Sequence, residues 1–341
     1  MFLCVIFTMT LYKMKKQYFK NMNRLLSIST AIILFWGCNQ AQVQNNNSAI
    51  EKDSIVSNQE DDQPAFFAKS VLDEEDIKLN DVADISGQKE NTVSFIDQRI
   101  EALVGSSMKK WCEDKGVAYP PQYVMYRVFK YDEEIEVWAG KSNTDSLTLI
   151  QTFRICAMDK FPGPKNTEGD GKTPEGFYSC SNLYGSSYGF MWIKLNTGDV
   201  DEYGEVGGGS SFKLFVNYPN NVDRNRITRN FPGRKTGGDI CIHGNCVSAG
   251  CISFKNRVFL AVYGFQRKHN SAKYGNIQIH IFPYRFDKHN AETFFEYSDY
   301  MALDKEVLIK FWDNLKEGFD KFNETHKPLK VTQSGEKYLF N

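Results

Sequence analysis

The chain has no surplus of positive charge. Its 341 residues carry 41 Lys and Arg against 42 Asp and Glu, a net charge of -1. That balance offers no electrostatic footprint for a nucleic-acid partner. No comfortable membrane span is present either. The apolar stretch Leu25 to Trp36 is shorter than the roughly 20 residues a spanning helix needs. There is no internal repeat, which excludes a solenoid or propeller. Gly169–Thr173 lacks the Gly-x4-Gly-Lys-Ser/Thr frame of a phosphate-binding loop and reads as a β-turn. Histidine is scarce, at 5 residues, so few imidazoles compete for a catalytic role. His280 sits in an apolar strand and reads as structural, while His269, His289 and His326 carry no signal.

Aromatic residues are abundant, with 26 Phe and 17 Tyr. They fit a packed, β-rich domain and argue against overall disorder. The length allows one or two domains plus extensions. The N-terminus reads as a targeting signal. Lys15, Lys16, Lys20 and Arg24 form its basic part and Leu25 to Trp36 its apolar part. Leu34-Phe35-Trp36-Gly37-Cys38 has the form of a loose lipobox, with Cys38 the lipidated residue and the membrane a partner through that anchor. An uncleaved anchor or plain secretion are the alternatives; all three place the body of the chain outside the cytoplasm, and the lipid-anchored reading places it on the periplasmic side of the envelope. Translation is expected to start at Met14 or Met22, because Met1 to Lys13 adds a second apolar patch ahead of the basic run.

Residues 39–92 are polar and acidic, with Asn45-Asn46-Asn47, Glu60-Asp61-Asp62 and Asp73-Glu74-Glu75-Asp76, and read as a disordered tether with local helix around Ala68–Leu79. Some 50 flexible residues reach roughly 40 Å. Residues 93–118 form a helical lead-in, with a helix over Ser94 to Asp114. Strands are predicted at Val124–Lys130, Ile135–Trp138, Thr148–Ile155, Phe212–Val216, Ile240–His243 and Ile277–Phe282, with a helix over Lys255–Arg267. Residues 287–341 form a C-terminal extension. Its helix, Leu303–Phe322, carries Leu308, Phe311, Trp312, Leu315, Phe319 and Phe322 as one apolar stripe, expected to dock on the preceding domain. A hairpin around Ser334-Gly335 ends the chain. The fold class is mostly β with flanking helices.

The chemistry concentrates in Asp239-Ile240-Cys241-Ile242-His243-Gly244-Asn245-Cys246-Val247-Ser248-Ala249-Gly250-Cys251-Ile252. A free thiol, with a pKa near ~8.5, is mostly protonated at neutral pH, and an adjacent imidazole makes it a nucleophile. Alternation through Ile240 and Ile242 predicts a strand ending at His243, and Gly244 and Gly250 permit a tight reversal that returns Cys251 to its side. Cys241, His243, Cys246 and Cys251 could instead ligate zinc, although the Cys-x4-Cys-x4-Cys spacing is unlike paired knuckles. The reading taken here has no metal and no cofactor.

His243-Gly244 followed by Ser248-x-Gly250-Cys251 resembles the signature of the L,D-transpeptidase catalytic domain, the YkuD-like family, and its shorter loop resembles the YafK-like branch. Tyr119-Pro120-Pro121 with Tyr126–Lys130, Gly163-Pro164-Lys165 with Glu168–Tyr178, Phe212 through Asn220 with Asp223, and Ile279–Pro283 resemble the family in the same order. The resemblance covers residues 119–286. It implies a β-sandwich catalytic domain that acts on peptidoglycan stem peptides through a cysteine thioester. Cys251 would be the nucleophile and His243 the general base and acid. Backbone N–H groups at Gly250 and Cys251 would stabilise the oxyanion, with Ser248 and Gly244 supporting the loop and Lys172 and Tyr218 contacting substrate. Water as acceptor would give a carboxypeptidase, an endopeptidase or a hydrolase releasing wall-linked protein. A non-catalytic wall-binding lipoprotein and a cysteine hydrolase acting on a non-wall peptide are the remaining alternatives. Position 253, commonly Arg in the family, is Ser here.

Six cysteines follow Cys38, enough for three disulfides. A domain of this size needs no staples and Cys251 must be free, so none is expected. Cys246 is expected to fill a small buried space, with a reversible bridge to Cys251 as the alternative.

Overall fold

The computed structural model describes residues 71–80, 93–184, 192–193, 203–204, 212–300 and 303–341. The targeting segment, the lipidation candidate Cys38 and most of the acidic tether lie outside the described residues. The elements run α1 (Val93–Asp114), β1 (Tyr123–Phe129), β2 (Glu134–Gly140), β3 (Thr148–Arg154), β4 (Gly176–Tyr184), the short pair β5 (Trp192–Ile193) and β6 (Tyr203–Gly204), then β7 (Phe212–Val216). There follow α2 (Asn221–Asn230), β8 (Cys241–His243), β9 (Ile252–Ser253), α3 (Asn256–Lys268), α4 (Ser271–Tyr274), β10 (Ile277–Phe282), α5 (Lys305–Thr325), β11 (Val331–Ser334) and β12 (Lys337–Phe340). The domain is mostly β with flanking helices; eight of its strands join in one sheet of order β3-β2-β1-β10-β4-β7-β8-β9, while β5 with β6 and β11 with β12 form separate two-stranded sheets. β1 pairs with β10 and β8 with β9 in parallel; the other neighbours are antiparallel.

The centre of the sheet is covered on both sides, which is why β1 reads as a near-continuous apolar run. Successive side chains on a strand point to opposite faces. Val124, Tyr126 and Val128 join a core shared with α1 and α3, through Val104, Met108, Phe259 and Val262. Tyr123, Met125 and Phe129 join a second core, on the other face, with the apolar stripe of α5. Leu308, Phe311, Trp312, Leu315, Phe319 and Phe322 are all buried there. Each such side chain contributes roughly 1.5–3 kcal/mol of transfer free energy.

Polar links fix that packing. Trp312 Nε1 donates to Glu175 Oε2 at 2.8 Å. Glu175 Oε1 accepts from Gly163 N at 2.7 Å and from the buried Lys130 ammonium at 3.1 Å. The terminal hairpin is clamped by Asn314, whose amide donates to Tyr338 O at 2.9 Å and accepts from Tyr338 N at 2.8 Å. The C-terminal extension is therefore built into the sheet's second face.

Three features depart from the sequence reading. Residues 71–80 fall within the stretch expected to be a free tether, yet they dock on the sheet edge. Leu72 N donates to Thr152 O and Arg154 N donates to Leu72 O, both at 2.9 Å. Leu72 and Ile77 are buried, with only a 3-10 turn at Glu74–Asp76 between them. Two apolar side chains in an acidic stretch are enough to cover an edge that would otherwise expose unpaired backbone groups. Strand β4 and helix α2 were also not predicted. β4 begins on Gly176, with φ +145, the last residue of the stretch from Gly163 that reads as a glycine-rich break.

Candidate active site

The order of β7, β8 and β9 at the end of the sheet builds the site. β8 pairs with β7 through Leu214↔Ile242 and Phe215↔Cys241, and with β9 through Ile242↔Ile252 and His243↔Ser253. Ile242 and Ile252 anchor both strands in the core. That fixes Cys241, His243, Cys251 and Ser253 on the opposite face, by the two-residue alternation of strands. The reversal between them is strained. Asn245 and Cys246 have φ of 76° and 40°, and Asp239, just before β8, has φ of 56°. Left-handed non-glycine residues cost free energy and cluster at functional loops.

His243 is buried, 2% exposed. Its Nδ1 lies 2.6 Å from Gly244 O. A carbonyl oxygen only accepts, so in the neutral ring Nδ1 carries the proton and Nε2 presents its lone pair. Gly244 O also accepts from Ser253 Oγ at 3.1 Å. Ser253 thus steadies the carbonyl that sets the imidazole tautomer. His243 and Cys251 line the same cleft.

Cys251 Sγ lies 3.6 Å from Asp239 O, an acceptor for its proton in the thiol form. The thiolate is favoured by other neighbours. A hydrogen bond with the Cys241 thiol acts most strongly, and the His243 imidazole adds a second, so the Cys251 pKa falls well below the ordinary thiol range despite burial. The Cys241 thiol is held protonated by the same pairing, reinforced by burial. Cys251 opens on a cleft of about 460 Å³ lined also by Lys165, Glu168, Gly237, Asp239, His243 and Ser248. The arrangement can present a thiolate to a carbonyl carbon, with a proton-accepting imidazole alongside.

The loop is held by Ser248, whose Oγ donates to Cys251 O at 2.6 Å and accepts from Gly250 N at 3.0 Å. The second bond occupies the Gly250 N–H, expected from sequence to stabilise an oxyanion. Gly250 itself has φ +117, and a Cβ there would stand 2.7 Å from Lys172 O. The Gly171–Lys172 backbone therefore buttresses the loop that carries Cys251. The Lys172 side chain points elsewhere, 3.9 Å from Asp159. Tyr218 is buried, with its hydroxyl donating to Thr236 O at 3.1 Å. Neither of these two expected substrate contacts lines the cleft; Lys165 and Glu168 stand there instead. Lys165 is paired with Asp170 at 2.6 Å.

Cys246 corrects the cysteine reading. It is disulfide-bonded to Cys156, with Cα atoms 5.3 Å apart. The two meet because Cys156 and Ala157 are laid along β9, their N–H groups donating to Ser253 O at 3.0 and 3.2 Å. This bond takes Cys246 out of the proposed zinc set and excludes it as the partner of Cys251. Cys112, Cys180, Cys241 and Cys251 remain free. Burial pushes the Cys112 thiol up to about 12 and raises Cys180 strongly, which leaves both inert as nucleophiles. The contributions of Cys241, Ser253 and Cys156 were not recognised from the sequence. Position 241 signalled itself by standing two residues before His243; the other two are brought in only by the sheet.

Known proteins match the part of the chain that carries this site. The profile of the YkuD family, described as the L,D-transpeptidase catalytic domain, matches residues 117–279. The protein of Escherichia coli strain K12 named "Putative L,D-transpeptidase YafK" is 25% identical over 219 residues, spanning 64% of this chain and 73% of its own. Among solved structures, Bd1075 of Bdellovibrio bacteriovorus is 18% identical with a TM-score of 0.31, covering 61% of this chain and 58% of its own. The helical cell shape determining protein Pgp2 of Campylobacter jejuni is 19% identical with a TM-score of 0.29, covering 68% and 81%. Residues 117–279, which carry Cys251 and His243 on the reversal from β8 into β9, match the L,D-transpeptidase catalytic domain family.

Proposed function

We propose that this protein is an exported cysteine acyltransferase acting on peptidoglycan stem peptides. Cys251 attacks the carbonyl of an L-configured centre, forming a carbon–sulfur bond. His243 Nε2 accepts the thiol proton, or faces the thiolate as its ion-pair partner, and then passes a proton to the leaving amine. A thioester remains on Cys251, and the departing amine carries away the rest of the stem. An amine from a second stem then attacks to give a cross-link; water gives a trimmed stem. The oxyanion donor falls to the Cys251 N–H, because Gly250 N is bonded to Ser248. One such donor is worth ~3 kcal/mol in the transition state.

The observation that carries this reading is the fixed tautomer of a buried His243 beside a pKa-lowered Cys251 on an open cleft. The N-terminal pattern around Cys38 supports export and lipid anchoring on the periplasmic side. Incubation of the full chain with purified muropeptides, followed by mass analysis, tests the proposal. Dimers, tripeptides or released peptides that vanish in Cys251→Ala are expected. Unchanged muropeptides, or products that persist in Cys251→Ala, would overturn it.

A further inference from the structure

We infer that Cys241 and Cys251 form a reversible redox pair, in which Cys241 is the resolving thiol that protects the site cysteine from irreversible oxidation. The register is the first ground. β8 and β9 run parallel with Ile242 beside Ile252 and His243 beside Ser253. One step back along the same register sets Cys241 beside Cys251. Neighbouring strands lie about 4.8 Å apart, inside the roughly 4.4–6.8 Å that Cα atoms span across a disulfide. Alternation puts both side chains on one face, where each thiol acts on the other's protonation, Cys241 raised and Cys251 lowered.

Access is the second ground. Cys251 lines the cleft and meets a small oxidant first, whereas Cys241 is 4% exposed. The third sulfur of this segment, Cys246, is already bonded to Cys156. Cys241 is therefore the reduced partner at hand.

The chemistry balances with a peroxide as oxidant. The Cys251 thiolate attacks a peroxide oxygen; a sulfur–oxygen bond forms and the oxygen–oxygen bond breaks. Sulfur is oxidised by two electrons, the peroxide is reduced, and the leaving hydroxide takes a proton to become water. Cys251 now carries a neutral sulfenic acid, so the charge that held the Cys241 proton is gone. Cys241 attacks the Cys251 sulfur. A sulfur–sulfur bond forms, the sulfur–oxygen bond breaks, and hydroxide departs with the Cys241 proton as water. A dithiol reductant restores both thiols by exchange. Without Cys241, the sulfenic acid would meet further peroxide and proceed to sulfinic and sulfonic acids.

The consequence for activity rests on the function proposed above, but the test does not. The full-length chain is treated with hydrogen peroxide and digested without reduction, and the fragment between Lys235 and Lys255, still joined through Cys246 to the Cys156 fragment, is weighed. An internal Cys241–Cys251 bridge, seen as loss of two hydrogens and reversed by dithiothreitol, is expected. In Cys241→Ser the same dose should instead add two or three oxygens to Cys251, beyond rescue by dithiothreitol. If that variant does not fold, the wild-type map decides alone. Direct conversion of wild-type Cys251 to its sulfonic acid with Cys241 still open to alkylation, or a bridge from Cys251 to Cys246, would overturn the inference. A bridge that forms in a chain whose fully reduced form leaves muropeptides unchanged would count against the proposed function only.

Discussion

The disulfide offers the most quantitative perturbation. Cys156 and Cys246 are 90 residues apart in sequence, and the segment they close contains β4, β7, α2 and β8. In the chain-entropy description, closing a loop of that length removes about 15 cal/mol/K from the unfolded ensemble, equivalent to about 4.6 kcal/mol at 25 °C. Measured values for native bridges fall at roughly 2–5 kcal/mol. For a domain stable by about 5–15 kcal/mol, that is a large share. The double variant Cys156→Ala with Cys246→Ala should therefore unfold at a markedly lower denaturant concentration. The backbone bonds that lay residues 156–157 along β9 do not involve the sulfurs, so the native sheet should persist. Urea unfolding of wild type and variant, each with and without reductant, provides the assay. Wild type should lose about 2–5 kcal/mol on reduction, and the variant should not respond to reductant at all. A difference below ~1 kcal/mol between oxidised wild type and variant would refute the loop-closure reasoning.

Three further outcomes are expected. Ser253→Ala removes the hydroxyl that donates to Gly244 O, at a cost of about 1 kcal/mol in holding the His243 tautomer; kcat on muropeptides should fall several-fold with little change in unfolding. Gly250→Ala forces a Cβ toward Lys172 O at a φ of +117°, a strain of roughly 1–3 kcal/mol, so both thermal stability and turnover should drop. Because its pKa is depressed, the Cys251 thiolate persists below the ordinary thiol range and is lost only as pH falls through the lowered value; iodoacetamide should alkylate it readily at about pH 6, with half-maximal rate below about 7, whereas an ordinary thiol-like profile near ~8.5 would show that its neighbours do not act on it.

Much of the scaffold was legible because periodicity reports burial. Phe212–Val216 and Ile277–Phe282 are apolar runs, and the structure begins and ends them at the same residues. The stripe of α5 likewise identified a helix that needs a partner face. Strand β4 was hidden because Gly176 at its head and the glycines before it read as loop, although Phe177, Tyr178 and Cys180 carry strand character. Helix α2 was hidden by its weak apolar pattern; its start is a reciprocal cap between Asn220 and Asp223, a signal at the sequence level that only the capping geometry makes plain. The pairing of Cys156 with Cys246 could not be read at all, because connectivity depends on which loop the sheet lays beside β9. The docking of Leu72 is similar: two buried side chains do not alter the acidic composition around them. The fixed tautomer of His243 rests on Gly244 O and Ser253, a contact that exists only once β8 and β9 are side by side.

The most direct measurement is the mass of the chain after brief incubation with a carbapenem or a stem-tetrapeptide muropeptide and acid quench. An acyl adduct confined to the peptide between Lys235 and Lys255, located on Cys251, absent from Cys251→Ala and strongly slowed in His243→Ala, is expected. An unmodified Cys251 under conditions where iodoacetamide labels it, or an adduct formed equally fast without His243, would contradict the thiolate–imidazole assignment.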